Sequence, residues 1–421
     1  MSVHLPRWYT AVSAVMHLEL MGRVRSKKWI LAMLAWLVTL VAVWLGALAL
    51  SDYFSGEPFT AQDRYFQSSS TFAWMLLFTL LVALIIAPAL SSTAINGQRQ
   101  TSNLAIVQAT PIASWHVLCG KLLAGWVTGA VFVLVAAIVL GVIAGVTALS
   151  GVLLMKSLVF ILFEVFVVCA LGLGFSALVV RPVISVLLTY LVVGALSIGG
   201  PLAFLFTINP MMDRVEYEAQ YLEYEGTDDP WQDAPDEEYP GLNENPGWVC
   251  RTDSGTEYVS HEDRTWWMNM SSPVVIMADA VESITEQQNV EDGSEGFSAD
   301  RYNVFDSISQ GIALVRIPTA SEADVRAEIL DVDPPRISSY DSCYINSEGL
   351  IVPLEITMDG YDVVEDRFDD GDDVPEWMKY VGHSWYWGVG LHLVLALGAL
   401  TAAWVRLRIP VKRLPSGVRI A

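Results

Sequence analysis

The position of charge relative to apolar sequence constrains this chain more than any motif in it. Of its 46 Asp and Glu residues, 41 lie between Met211 and Tyr380, a stretch that holds only 9 of the 24 Lys and Arg. Outside that stretch the chain is net basic and is built largely from long apolar runs, five before the acidic block and one after it. A chain divided in this way reads as a membrane protein with one large water-facing segment, on the side opposite its positive loops.

A helix needs about 20 mostly apolar residues to cross the hydrocarbon core of a bilayer. Six runs qualify: Trp29–Leu50, Phe72–Leu90, Leu122–Thr147, Leu158–Val180, Val183–Ile208 and Ser384–Trp404. In lipid each must be a helix, because only a helix satisfies its own backbone groups. With 53% hydrophobic residues and a mean hydropathy of +0.43, the composition excludes an ordinary soluble enzyme. Ala47 and Ala49 form an A-x-A pattern after the first run, but that run exceeds the roughly 7–15 residues of a signal-peptide core and reads as an uncleaved span.

Orientation follows from Lys and Arg beside the spans. Arg23, Arg25, Lys27 and Lys28 precede the first span, Arg99 and Lys121 flank the second connection, and Arg181 sits in the fourth. The tail carries Arg406, Arg408, Lys412, Arg413 and Arg419. An even number of spans puts all of these on the cytoplasmic side, with both termini, and leaves Arg64 and Lys156 as exceptions. The expected organisation is a cytoplasmic amphipathic interfacial helix over 1–28, spans one to five over 29–208, an acidic extracellular domain over 209–383, a sixth span over 384–405 and a basic cytoplasmic tail over 406–421. The fold class is an all-α polytopic membrane domain with an extracellular α+β domain inserted between spans five and six.

Within these segments the local signals are uneven. Leu5, Trp8, Tyr9, Val12, Val15, Met16 and Leu20 recur at helical spacing, with His17, Glu19 and Arg23 on other faces, which suits a helix lying in the membrane interface. Pro88 predicts a kink or break near the inner end of the second span. The connection over 91–121 reads as two short helices, the second opening on Thr110 and Pro111. In the acidic block, Asp213–Glu244 reads as irregular, Trp248–Val259 and Ile351–Met358 as strands, Gly311–Ile317 as a short strand and Ser272–Ile284 as a helix. Cys250 and Cys343 fall on the extracellular side, where a disulfide can persist; either a bridge or two free thiols fits the sequence.

Few residues carry chemistry. Glu164 is the one acid inside a span, and a carboxylate there is costly enough to be a functional candidate. It could line a substrate pathway, relay protons or pair with a polar neighbour. Lys156 is separated from it by about 12 Å of helix and reads as snorkelling to the interface. His392, in the last span, is a weaker candidate. The acidic clusters at Asp228–Asp229, Asp236–Glu238 and Asp369–Asp373 lack the spacing of a calcium loop and read as a solvated surface, so no metal site is expected.

The connection between spans two and three carries a resemblance. Gln98-Arg99-Gln100-Thr101-Ser102-Asn103-Leu104, then Thr110-Pro111-Ile112-Ala113-Ser114-Trp115, then Gly120-Lys121-Leu122-Leu123 is similar to the hallmark loop of type-2 ABC transporter permeases. Arg99, Leu104, Thr110, Pro111, Ser114, Trp115, Gly120, Lys121, Leu122 and Leu123 match the family pattern. Gln98 and Gln100 stand where Glu is common, and Ser102-Asn103 replace Gly-Thr. The interfacial helix, the six spans and a Gly172-x-x-x-Ser176 pair at the end of span four follow the family order.

The resemblance implies a permease subunit of an ATP-driven exporter. It would form half of a dimeric pathway with a second permease chain, the same or homologous, in a bacterial cell membrane. Its coupling loop, centred on Gln98, Arg99, Gln100, Leu104, Thr110, Pro111, Trp115 and Lys121, would dock on an ABC ATPase subunit present in two copies. ATP and magnesium would belong to that partner, and this chain would bind no cofactor and no nucleic acid. No P-loop is present, and Leu196-Ser197-Ile198-Gly199-Gly200 only superficially matches an ATPase signature loop, since it lies within an apolar span. The alternative is a membrane sensor whose extracellular domain binds a cationic peptide or another ligand and modulates an associated ATPase without transport. If the loop docks as the resemblance implies, Arg99→Glu lowers the amount of ATPase that copurifies with the chain and its stimulation, while membrane insertion is unchanged; undiminished copurification and stimulation contradict the assignment.

Overall fold

The computed structural model describes residues 8–55, 61–100, 113–146, 151–225, 248–281, 304–316, 343–345, 351–353 and 383–408. Six helices among them are long and apolar enough to cross a membrane: Lys27–Ala49, Ser70–Gln98, Ser114–Val146, Gly151–Leu178, Pro182–Met211 and Trp385–Leu407. The described chain is mostly helical and groups into two compact units.

The first unit holds 1–204, 267–313 and 383–421. It opens with α1 (Trp8–Val24). Then come α2 (Lys27–Ser55), α3 (Ala61–Ser91), the short α4 (Asn96–Gln100), α5 (Ser114–Val146) and α6 (Gly151–Leu178). Pro88 falls in the last turn of α3, so the helix stops three residues later without breaking mid-span. The helix of span three, α5, runs unbroken from Ser114, and the expected second short helix, opening on Thr110 and Pro111, falls on residues outside those described. α6, the fourth span, is the most enclosed helix and α2 the least.

The fifth span is not one regular helix. It is α7 (Pro182–Gly194), a π-helical turn at Ala195–Gly199, then α8 (Gly200–Ile208). Its outward side leaves Val183, Leu187, Leu191 and Ile198 exposed, as an apolar surrounding requires.

A 3-10 turn over Trp266–Ser271 leads into α9 (Pro273–Ala280). α10 (Val304–Leu314) follows, and α11 (Trp385–Leu407) is the sixth span. The expectation of one inserted domain over 209–383 is therefore redrawn. The described residues of 267–313 fold with the spans: α9 packs on α11 and α6, and Ile276, Met277 and Phe305 join their core. Close approach is bought with glycine. A Cβ at Gly200 would sit 2.4 Å from the Met268 carbonyl and clash with Ser271 Oγ; one at Gly388 would sit 2.4 Å from Ile276 and 2.6 Å from the Met270 carbonyl. The expected strand at Gly311–Ile317 is a correction: Val304–Leu314 is a helix, its apolar residues Val304, Phe305, Ile308 and Ile312 recurring at helical spacing.

The second unit holds 205–266 and 314–382. Strands β1 (Met212–Tyr224) and β2 (Trp248–Ser260) pair antiparallel, from Met212 opposite Ser260 to Tyr224 opposite Trp248. The rings of that last pair meet at 5.0 Å. β1 corrects the reading of Asp213–Glu244 as irregular over its first part, the remainder lying outside the described residues: Val215, Tyr217, Ala219 and Tyr221 alternate with polar residues, a strand period hidden by the density of acids. The short β3 (Cys343–Ile345) and β4 (Ile351–Pro353) form a second antiparallel pair. Cys250 is disulfide-bonded, while Cys119 and Cys169 are free.

Gly200→Val should destabilise the purified protein by about 1–3 kcal/mol, the usual cost of overpacking a tight contact. Gly194→Ala, on the same span with nothing within 4 Å of its Cβ position, should be neutral or stabilising by up to about 1 kcal/mol. Thermal unfolding in detergent separates the two; equal behaviour contradicts the packing described.

Candidate functional site: a loop-helix anchor and a buried carboxylate–histidine pair

Two polar clusters interrupt the apolar bundle. The first lies where α1 and α4 meet the start of α5. Val12 and Val15 of α1 are buried against α5, and Gly120 permits it: a Cβ there would lie 2.6 Å from Val15 and 3.0 Å from the Val12 carbonyl. This contact brings Lys121 inside, with only 3% of its side chain exposed. An unpaired ammonium there would be strongly unfavourable. Its Nζ donates to Glu19 Oε1 of α1 at 2.6 Å, to Gln98 Oε1 of α4 at 2.7 Å and to the Ala94 carbonyl at 3.0 Å, using all three of its protons. Gln98 Nε2 donates back to Glu19 Oε1 at 2.8 Å. One closed network thus ties the interfacial helix, the short loop helix and span three.

One turn on, Arg23 fastens α1 a second time. It donates to Thr128 Oγ1 at 2.8 Å, to the Ala124 carbonyl at 3.4 Å and to the Leu90 carbonyl at 3.1 Å. Burial draws its pKa below the ordinary arginine value, and the charge of Glu19 opposes that shift.

The start of α4 is held from the fourth span. Ser176 Oγ accepts from the Ile95 and Asn96 amides at 2.9 and 3.2 Å and donates to Asn96 Oδ1 at 3.2 Å. These are the amide groups that the first turn of a helix leaves unpaired. Gly172, one turn earlier, lets the Ser91–Ser92 segment lie against span four, where a Cβ would be 3.1 Å from the Ser92 amide. The last span ends here too, since Ser114 Oγ donates to the Leu407 carbonyl at 3.3 Å.

The second cluster is in the middle of the unit. Glu164 of α6 and His392 of α11 are 1% and 0% exposed. His392 Nδ1 lies 2.9 and 3.1 Å from the two Glu164 oxygens, and Nε2 lies 3.0 Å from the Ser271 carbonyl. A carbonyl only accepts, so Nε2 carries a proton. Around this point Ser271 Oγ, whose shorter bond runs to the Met268 carbonyl at 2.9 Å, lies 3.3 Å from the Leu196 carbonyl, and Ser272 Oγ donates to the Ser197 carbonyl at 2.9 Å. These carbonyls belong to the π turn, where the regular ladder is interrupted. Asp279, at the end of α9, accepts from the Ser384 amide at 2.5 Å and its hydroxyl at 3.0 Å, capping α11 with a charge of the favourable sign.

Among the candidates named from sequence, the structure brings Gln98 and Lys121 together and pairs Glu164 with His392. Trp115 is 47% exposed on the first turn of α5. Arg99 and Gln100 fall on α4, while Leu104, Thr110 and Pro111 lie outside the described residues. Sequence reasoning missed Glu19, Arg23, Ser271 and Ser272. Glu19 and Arg23, the acid and base one helical turn apart on α1, were the available signal for the first two.

A family model described as ABC-2 family transporter protein matches residues 13–308, well over half of the chain. The chain belongs to the ABC-2 transporter family. This makes it a multi-pass membrane component of an ABC transporter, of a family that generally works with ATPase subunits. No curated protein matches the sequence.

The anchor predicts strong coupling between its charges. Glu19→Leu should destabilise by about 3 kcal/mol, the low end for breaking a buried pair because Glu19 retains 22% exposure. Adding Lys121→Leu should recover part of that loss, since no unpaired ammonium is left behind. Thermal unfolding of the single and double variants checks this, and simple additivity contradicts it.

Proposed function

We propose that this ABC-2 family chain is the permease subunit of an exporter driven by separate ATPase subunits. The observation that carries the reading is the anchor of Glu19, Gln98 and Lys121. It fixes α4, which bears Arg99 and Gln100, to the interfacial helix and to span three. A force applied to α4 by a docked protein is then transmitted into α1, α5 and, through Ser176, α6, rather than lost in a slack loop.

In this reading the anchor end is cytoplasmic, with both termini, and the loop over 91–121 receives one of two ATPase copies. ATP and magnesium are held by that partner, and this chain binds no cofactor. A second permease chain completes the pathway in a bacterial cell membrane. Residues 205–266 and 314–382, with their strands and a Cys250–Cys343 bridge, form the extracytoplasmic part. Export is favoured over import on the family likeness alone.

The test is a pull-down of the tagged chain from mild-detergent membranes, with mass spectrometry of what copurifies. An ABC ATPase at near-equal stoichiometry is the expected result, and a further permease-like chain would identify a heterodimer. A chain that purifies alone and is inert toward ATP contradicts the reading. Ligand-stimulated ATPase activity without accumulation in vesicles would instead mark the complex as a sensor.

A further inference from the structure

The buried Glu164–His392 pair does more than neutralise a carboxylate, because its second nitrogen holds a separate piece of the fold. Residues Trp267–Val281 form a strap that leaves the chain after the fifth span and seats against α6, α11 and the π turn before the sixth span begins. Two backbone carbonyls meet donors at this seat: Ser197 of the fifth span accepts from Ser272 of the strap, and Ser271 of the strap accepts from His392 of the sixth. The Ser271 hydroxyl, bonded within the strap to the Met268 carbonyl at 2.9 Å, also lies 3.3 Å from the Leu196 carbonyl. Ser272 stands at the N-cap position of α9, yet its hydroxyl makes no cap bond and is spent on Ser197. The strap is therefore fitted to the spans at some cost to its own helix.

Proton counting shows what the pair adds. With Nε2–H donated to Ser271, the contact between Nδ1 and Glu164 holds one further proton, on either the nitrogen or the carboxyl oxygen. Both arrangements are neutral overall, which suits full burial. Removing that proton to water leaves one N–H on the imidazole and two acceptors competing for it. The carboxylate is the stronger acceptor, so the N–H turns to Glu164 at Nδ1. Nε2 then faces the Ser271 carbonyl with a lone pair, and the bond to the strap is lost.

We propose that Glu164 and His392 form a one-proton binding site whose occupancy latches the Trp267–Val281 strap onto the fourth, fifth and sixth spans. Other ionisable groups on the elements packed around α11 are placed elsewhere. Asp279 of α9, on the strap itself, engages Ser384, eight residues from His392 along α11 and so about 12 Å away. Its other oxygen lies 3.5 Å from His383 Nδ1, a second histidine contact at the far end of the strap. Lys156 and Cys169 of α6 lie eight residues outward and five residues inward of Glu164, about 12 and about 8 Å along the helix. Lys121 of α5 is engaged by Glu19 and Gln98 at the anchor. The inference stands on this geometry and needs neither an ATPase nor a cargo.

Hydrogen exchange of the full chain in nanodiscs, read at the strap peptides and corrected for intrinsic pH dependence, tests it. Between about pH 5 and about pH 9, a range that spans ordinary histidine titration, strap protection should fall about tenfold with a one-proton profile, the change expected for one lost hydrogen bond. Glu164→Gln cannot release the proton, and its amide can donate to Nδ1 while Nε2–H stays on Ser271, so its strap should remain protected and insensitive to pH. Ser272→Ala should lower protection at every pH but keep the profile. A flat wild-type profile, or a Glu164→Gln strap that still titrates, overturns the proposal. His383→Gln, which removes the histidine beside Asp279, should keep the profile; its loss in that variant would overturn the proposal too, so the test stands even if Glu164→Gln does not fold.

Discussion

A charge enclosed by a helix bundle has to bring its partner with it, and the first unit is organised around that requirement. Lys121 is buried because Gly120 lets α1 settle on α5. Once inside, its three protons dictate where Glu19, Gln98 and the Ala94 carbonyl must be. Glu164 plays the same part in the middle of the unit, drawing His392 and, through it, the Ser271 carbonyl. Apolar packing supplies most of the contact area, and the close approaches at Gly120, Gly172, Gly200 and Gly388 fix where elements touch. The polar contacts add directional constraints on how the interfacial helix, loop helix and strap meet the spans.

The two clusters assign different work to different regions. At one end, α4 is gripped by Ser176 at its start and by Lys121 and Glu19 along its side, so that a short helix unable to stand alone is held as a rigid tooth. In the interior, the Ser197 carbonyl at the π turn of the fifth span has no helical donor four residues on, because Pro201 lacks an N–H, and Ser272 of the strap takes it. Irregular backbone at such depth is tolerated where protein covers it.

Much of this was legible from the chain. Hydropathy located the six spans, because in lipid composition alone compels a helix. Glu164, His392, Gln98 and Lys121 were singled out, as was the Gly172–Ser176 pair. What escaped was relational. Nothing in the sequence ties Ser271 to a histidine 121 residues away, so the strap was assigned to the water-facing block on its position between acidic stretches. The Leu196–Gly200 run was recognised as no nucleotide loop, but its π turn was not read from it. β1 was obscured because acid density was weighed above the alternation of Val215, Tyr217, Ala219 and Tyr221.

The central claim is that an ATPase acts on this chain through the end where α1, α4 and α5 are tied together. Site-directed cross-linking at Trp115, exposed on the first turn of α5, tests it most directly. With Cys119 replaced by alanine and Trp115 by cysteine, a short thiol-reactive photo-cross-linker on the native complex should capture the ATPase subunit, and the yield should change when ATP is added. Cross-links to lipid or to the chain itself, with the ATPase untouched although it copurifies, would contradict the account.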